Sequence, residues 1–181
     1  MCERLFRCID DNRFIRFVQE FVRIDSVYDP SRPHANESRA TVFLSSFLKD
    51  ERFDVHVEEA APGRSNVIAV LEGRSPGKTL LFEGHQDVVS VGNPERWRYD
   101  PFGAEIVDSG GRKRMYGRGT CDTKGNTAAG IFAVKAIRDS GVPFSGKIVL
   151  CLPVDEEGLM IGIKDFIRSE ERRVGKECRS R

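Results

Sequence analysis

From Asp11 to Asp25 apolar residues recur at helical spacing, and Phe14, Phe17, Val18, Phe21 and Val22 share one face. Acidic residues at the start of this run suit the positive end of a helix dipole. A loop with Pro30 and Pro33 follows, and the helical pattern returns from Glu37 to Glu51, with Ala40, Phe43, Phe47 and Leu48 on one side. These phenylalanines read as core rather than as a cofactor cradle. The period then shortens: Phe53, Val55 and Val57 alternate with polar residues, Asn66 to Leu71 is nearly all apolar, and Lys78 to Phe82 runs into Glu83-Gly84-His85. Ala128 to Ile137 predicts an alanine-rich helix ending near Gly141, and Lys147 to Val154 a further strand that stops at Asp155-Glu156-Glu157-Gly158. Met160 to Ile167 predicts a closing helix. The continuous apolar strands read as buried on both faces.

Helices alternating with buried strands predict an α/β fold, a layered mixed sheet flanked by helices. Between His85 and Thr120 the pattern is looser, with Pro94, Trp97 and Pro101, and a Gly110-Gly111 turn closes a hairpin leading to Met115-Tyr116-Gly117. No internal repeat is visible. A histidine and several carboxylates thus collect beyond the C-terminal ends of strands, where open α/β sheets place their ligand sites.

Composition narrows the function classes. The 181 residues, 39% hydrophobic and 31% charged, suit one soluble globular domain. The net charge is +1 and no Lys/Arg stripe interleaved with aromatics runs through the chain, so a small-molecule substrate is expected rather than nucleic acid. No apolar stretch approaches the roughly 20 residues of a membrane-spanning helix. Met1-Cys2-Glu3-Arg4 lacks the apolar stretch of a signal peptide. Cys2, Cys8, Cys121, Cys151 and Cys178 form no CxxC pair, which argues against a zinc knuckle or a disulfide scaffold and for a cytoplasmic location.

Three segments carry candidate chemistry. Gly84-His85-Gln86-Asp87 sets an imidazole and a carboxylate two positions apart, on the same side if strand geometry continues. A metal-binding histidine needs its second ring nitrogen held by an acceptor, and Asp87 can supply one. Gly117-Arg118-Gly119-Thr120-Cys121-Asp122-Thr123-Lys124-Gly125 delivers one acidic residue to the start of a helix. Asp122 there is a helix N-cap or a metal-bridging carboxylate, and the glycines also raise the alternative of a dinucleotide-binding turn, although the loop departs from GxGxxG and GK[ST]. Asp155-Glu156-Glu157 packs three carboxylates at the exit of an apolar strand, where mutual repulsion raises the cost of ionising all of them unless cations are near.

In order and spacing, Gly84-His85-Gln86-Asp87-Val88-Val89, Trp97 with Asp100-Pro101-Phe102, Tyr116-Gly117-Arg118-Gly119 leading into Asp122-Thr123-Lys124-Gly125, and Asp155-Glu156-Glu157 resemble the signatures of a known family. It comprises the two-zinc metallopeptidases and deacylases that include acetylornithine deacetylase, succinyl-diaminopimelate desuccinylase, aminoacylase and glutamate carboxypeptidase. The resemblance covers roughly residues 10 to 167. It implies hydrolysis of an amide bond in N-acyl amino acids or small peptides with two Zn2+, for which Co2+ or Mn2+ can substitute. It further implies that His85 ligates one zinc, Asp87 orients it, Asp122 bridges both, Glu157 ligates the second, and Glu156 is the general base. A cis peptide after the bridging aspartate, here Asp122-Thr123, is also implied.

Members of that family continue past the acidic motif to another acidic ligand, an inserted lid or dimerisation domain, and a late histidine ligand. The full-length parent is therefore expected to form a homodimer. Residues 1–167 read as the N-terminal portion of the catalytic domain, and 168–181, from Arg168 to Arg181, as a non-native tail resembling translated sequencing adapter. That tail holds six Lys/Arg and three Asp/Glu, so without it the net charge shifts from +1 to −2. His34 and His56 precede the motifs and read as surface histidines. With half of each ligand set, the chain by itself is expected to be inactive. The alternative is a non-catalytic binding or interaction protein that retains half of the fold.

Overall fold

The phenylalanine-rich helices form where the periodicity places them. In the computed structural model, which describes residues 2–32 and 35–179, a short helix α1 (Cys2–Phe6) precedes α2 (Asp11–Arg23) and α3 (Ser38–Asp50). Asp10 caps α2 by accepting the Arg13 N–H at 3.0 Å. The apolar faces of α2 and α3 meet through Phe17, whose ring lies 4.4 Å from that of Phe47 and 5.0 Å from that of Phe43. Phe132 of α4 (Lys124–Ser140) completes the cluster at 5.5 Å from Phe17, and the aromatic residues are core, as expected.

Strands β1 (Asp54–Ala61), β2 (Arg64–Glu72), β3 (Ser75–Glu83) and β6 (Ser145–Leu152) form one mixed sheet in the order β1-β2-β6-β3. The first three in that order pair antiparallel, while β3 runs parallel to β6. Alternation along β2 and β6 divides the core into two layers. Val67, Ala69, Leu150 and Leu152 face α2, α3 and α4, and Ile68, Val149 and Cys151 face Phe166 of α5 (Ile161–Arg179). The fold is thus the layered mixed α/β sheet that the alternation predicts.

Three details differ from the sequence reading. Strand β3 is not buried on both faces: it forms a sheet edge, and Leu80 and Leu81 are 52% and 44% exposed. An apolar run reports suitability for burial, not the presence of a neighbour. The predicted hairpin forms, as β4 (Glu105–Asp108) and β5 (Lys113–Tyr116), but as a separate two-stranded ribbon. The glycine loop that follows is therefore delivered by this ribbon and not by a strand of the main sheet. Helix α5 begins where expected but runs past Ile167 to Arg179.

Candidate metal centre

Parallel pairing of β3 with β6 brings their C-terminal ends side by side. Beyond β3, His85 and Asp87 point the same way, as strand alternation requires, and the intervening Gln86 points opposite. Gln86 is fully buried and works as a pin: its Nε2 donates to the carbonyls of Ser65 and Leu152 at 3.0 and 2.6 Å, and its Oε1 accepts from Thr41. A side chain at Gly84 would meet Thr127 Oγ1 at 2.5 Å, so glycine lets α4 close against this strand end.

Asp87 ties the two strand ends together. Its carboxylate oxygens accept the backbone N–H groups of Glu156 and Glu157 at 3.0 and 2.9 Å. The imidazole of His85 meets Asp87 through Nδ1, which lies 2.9 Å from its main-chain carbonyl and 3.6 Å from its carboxylate. A carbonyl only accepts, so Nδ1 carries the proton and Nε2 is the nitrogen turned toward the acidic cluster. Nε2 stands 3.2 Å from Asp122 Oδ1 and 3.6 Å from Glu156 Oε2.

Asp122 arrives from the ribbon side, on a loop in which Gly119 has φ +82° and packs against Val88 and Lys124 closely enough that no side chain would fit. The Asp122-Thr123 peptide is cis. Asp122 is not the N-cap of α4; Thr123 holds that position, and the Asp122 side chain, 76% exposed, leans toward His85 instead. Its negative charge stands where a nucleotide phosphate would need a positive one, which disfavours the dinucleotide alternative. Lys124 anchors the loop from behind: fully buried, its Nζ donates to the carbonyls of Phe21 and Ile24 at the C-terminal end of α2.

One ligand atom each from His85, Asp122 and Glu157 lies within 4.8 Å of the other two. Imidazole nitrogen with two carboxylates is the donor set of a borderline dication such as zinc. The electrostatics agree. The Glu157 carboxyl is pushed up by burial and by the charges of Asp122 and Glu156, only partly offset by His85. A bound dication would remove that repulsion. Burial alone would lower His85, but the Asp87 carboxylate and carbonyl and the Asp122 carboxylate raise it to about 9. Asp87 is moved the other way: burial would raise it, and His85 with the Glu157 and Glu156 amides holds it low.

These two shifts define a pH window. Asp87 contributes stability that is complete above the ordinary carboxylate range and is lost as pH falls through its folded value. His85 contributes stability that is complete below its ordinary 6.5 and is lost as pH rises through about 9. Asp87→Asn should therefore flatten the pH dependence of the urea midpoint on both sides and weaken metal uptake about 10- to 100-fold. An Asp87→Asn chain with the native pH profile would count against this pairing.

His56 lies exposed on β1 beside Asp54, remote from the cluster by element, and His34 lies outside the described residues. Asp155, by contrast, turns away from the cluster and pairs with Arg64, which with Glu37 escaped the sequence reading. Cys8, Cys121 and Cys151 are free thiols, and burial pushes Cys151 up to about 12. Among the described residues no helix is long and apolar enough to cross a membrane.

Residues 81–178 match the model of Peptidase family M20/M25/M40. Succinyl-diaminopimelate desuccinylase of Roseobacter denitrificans is 38% identical over 145 residues, covering 80% of this chain and 35% of that protein. Human carnosine dipeptidase 1 superposes with a TM-score of 0.78 at 24% identity, over 94% of this chain and 38% of that one. A dinuclear metal-binding peptidase of the M20 family from Bacillus subtilis superposes with a TM-score of 0.51 at 15% identity, over 81% and 36%. The chain spans about a third of the length of the curated relatives it matches.

Proposed function

The chain belongs to peptidase family M20/M25/M40, and on that premise we propose that residues 1–167 form the N-terminal portion of the catalytic domain of a metal-dependent amide hydrolase, with 168–181 outside it. N-acyl amino acids or small peptides are the substrate class, in line with the desuccinylase and dipeptidase relatives. The observation that carries this reading is the convergence of His85, Asp122 and Glu157 on one point. His85 would hold one Zn2+, Glu157 the other, and Asp122 both, with Co2+ or Mn2+ as substitutes. When bound, such ions acidify water and polarise the amide carbonyl. The resident groups divide the remaining work. Asp87 fixes the imidazole and the Glu156-Glu157 backbone, and Glu156 accepts the proton of the attacking water and passes it to the departing amine. We take the parent enzyme to be a cytoplasmic homodimer.

One imidazole and two carboxylates are too few donors to saturate two ions, so this reading assigns the 181 residues metal binding with little turnover. Titrating the chain with Co2+ and following visible absorption tests the centre. The native chain should develop ligand-field bands, and His85→Ala should weaken binding by more than about 100-fold, beyond the usual effect of changing a ligand's neighbour. Equal binding by both chains would move the metal elsewhere. Uptake should also strengthen as pH rises toward 9, because the ion must displace the proton that His85 holds until about that pH.

A further inference from the structure

Behind the acidic motif lies a buried ion network that the reaction does not use. Glu37 is 0% exposed, Arg64 and Asp155 barely more. The Arg64 guanidinium clasps both oxygens of Glu37, with Nε to Oε2 at 2.9 Å, and reaches Asp155 Oδ1 at 2.7 Å. Its outer face lies 3.6 Å from the ring centre of Tyr28, which lines a cleft of about 290 Å³ together with Asp87, Ser90 and Glu157. Two carboxylates and one guanidinium leave an excess negative charge inside the protein. Burying such groups is not a general route to stability, since apolar residues of similar volume commonly serve as well.

What the network does is hold one turn. Asp155 adopts φ +63°, a left-handed conformation that needs support. Its N–H donates to Glu37 Oε1 at 3.2 Å, its Oδ2 accepts the Leu159 N–H at 2.8 Å, and its carbonyl accepts the Met160 N–H at 2.7 Å. On the adjoining strand Asn66 fixes the flanks, accepting from Val154 N and donating to the Gly162 carbonyl. Glu156 and Glu157 sit inside this turn, and their own amides are held from the opposite side by Asp87. The turn is thus gripped between Asp87 in front and Asp155 behind.

We propose that Arg64 and Glu37 are positioning residues which, acting through Asp155, set the turn that presents Glu156 and Glu157. The inference rests on the metal reading of the centre. Its functional consequence is that metal affinity depends on two residues that touch no ligand. A lysine at 64 would keep the charge but lose the fork that spans Glu37 and Asp155 together.

Two measurements on the full chain separate positioning from general stability. Hydrogen exchange reports the amides of 155–161, and Co2+ titration reports the centre. Arg64→Met and Glu37→Gln should each speed exchange in that turn about tenfold, as expected when a hydrogen bond to a charged group is lost. They should weaken Co2+ binding about 10- to 100-fold, and Arg64→Lys should recover part of both losses. The control is Arg138→Met, which breaks a different ion pair, with Glu51, near the opposite end of α4 from Lys124. Compared at matched loss of urea midpoint, it should change neither reading. Native exchange and native Co2+ affinity in Arg64→Met or Glu37→Gln would overturn the proposal, and so would equal losses in Arg138→Met. Should the native chain show no His85-dependent Co2+ uptake, the metal reading fails with its functional consequence, while the exchange comparison still decides whether Arg64 and Glu37 hold the turn.

Discussion

Glu156→Gln, made in a chain that carries the whole catalytic domain, is expected to lower turnover by about 100- to 10,000-fold and to leave the metal content unchanged. The two halves of this expectation have separate origins. Glu156 is not among the three residues whose ligand atoms converge; its Oε2 lies 3.6 Å from His85 Nε2, and its side chain is 35% exposed. Its backbone is fixed by Asp87, so a change at the side chain need not disturb Glu157 beside it. Glutamine keeps the shape and one acceptor oxygen but cannot take up a proton. Water attack on the carbonyl would then release its proton to bulk solvent, and the amine would depart without an acid to protonate it. Metal analysis and steady-state rates on the same preparation check the claim. Retained turnover would remove Glu156 as the base, and lost metal would make it a ligand.

The separation of adjacent acidic residues into different roles is what the sequence conveys least well. Asp155-Glu156-Glu157 reads as one cluster of like charges, and the physical argument for a nearby cation follows from that. In the folded chain only the latter two face the cluster. The left-handed turn at Asp155 sends the first carboxylate backwards to Arg64, a contact across 91 positions. An arginine opening an apolar strand reads as a surface residue, and a glutamate before a helix as a favourable first-turn charge, so neither Arg64 nor Glu37 gives a local signal. His85 and Asp87 were legible for the opposite reason: two-residue periodicity dictates that they share a side, without tertiary knowledge. Which atoms of Asp87 meet the imidazole was not. Asp87 orients the imidazole by its carbonyl as much as by its carboxylate, because the carboxylate is engaged with the Glu156 and Glu157 amides. The core helices were visible as periodicity and the buried strands β2 and β6 as continuous apolar runs, whereas the exposure of β3 depends on sheet order, which neither signal carries.

Lys124 is a buried group whose loss should cost the fold heavily. A lysine in a glycine-rich loop ahead of a helix reads as exposed, yet this one is inaccessible and crosses to the C-terminal end of α2, where its Nζ donates to the Phe21 and Ile24 carbonyls at 3.0 and 2.6 Å. A cation there meets the negative end of the helix dipole, satisfies the Ile24 carbonyl and shares that of Phe21 with the Ile24 N–H. Lys124→Met fills nearly the same space, so the cavity term is small and the lost hydrogen bonds dominate. The expected destabilisation is about 3 kcal/mol, that of one to two bonds to a charged group. Its pH dependence has a definite sign. Burial, only partly countered by Asp25, pushes Lys124 from 10.5 down to about 7, so between those values the unfolded chain holds a proton that the folded chain lacks. Stability from this group therefore rises with pH across that interval. The methionine chain has no such rise, and its deficit should widen from pH 7 to pH 9. Comparing the two chains at each pH cancels the opposite trend from His85, which both retain. Urea unfolding at the two pH values provides the test; a deficit that stays constant from pH 7 to pH 9 would mean that Lys124 is held as a firmly charged ammonium, with the carbonyls outweighing its burial.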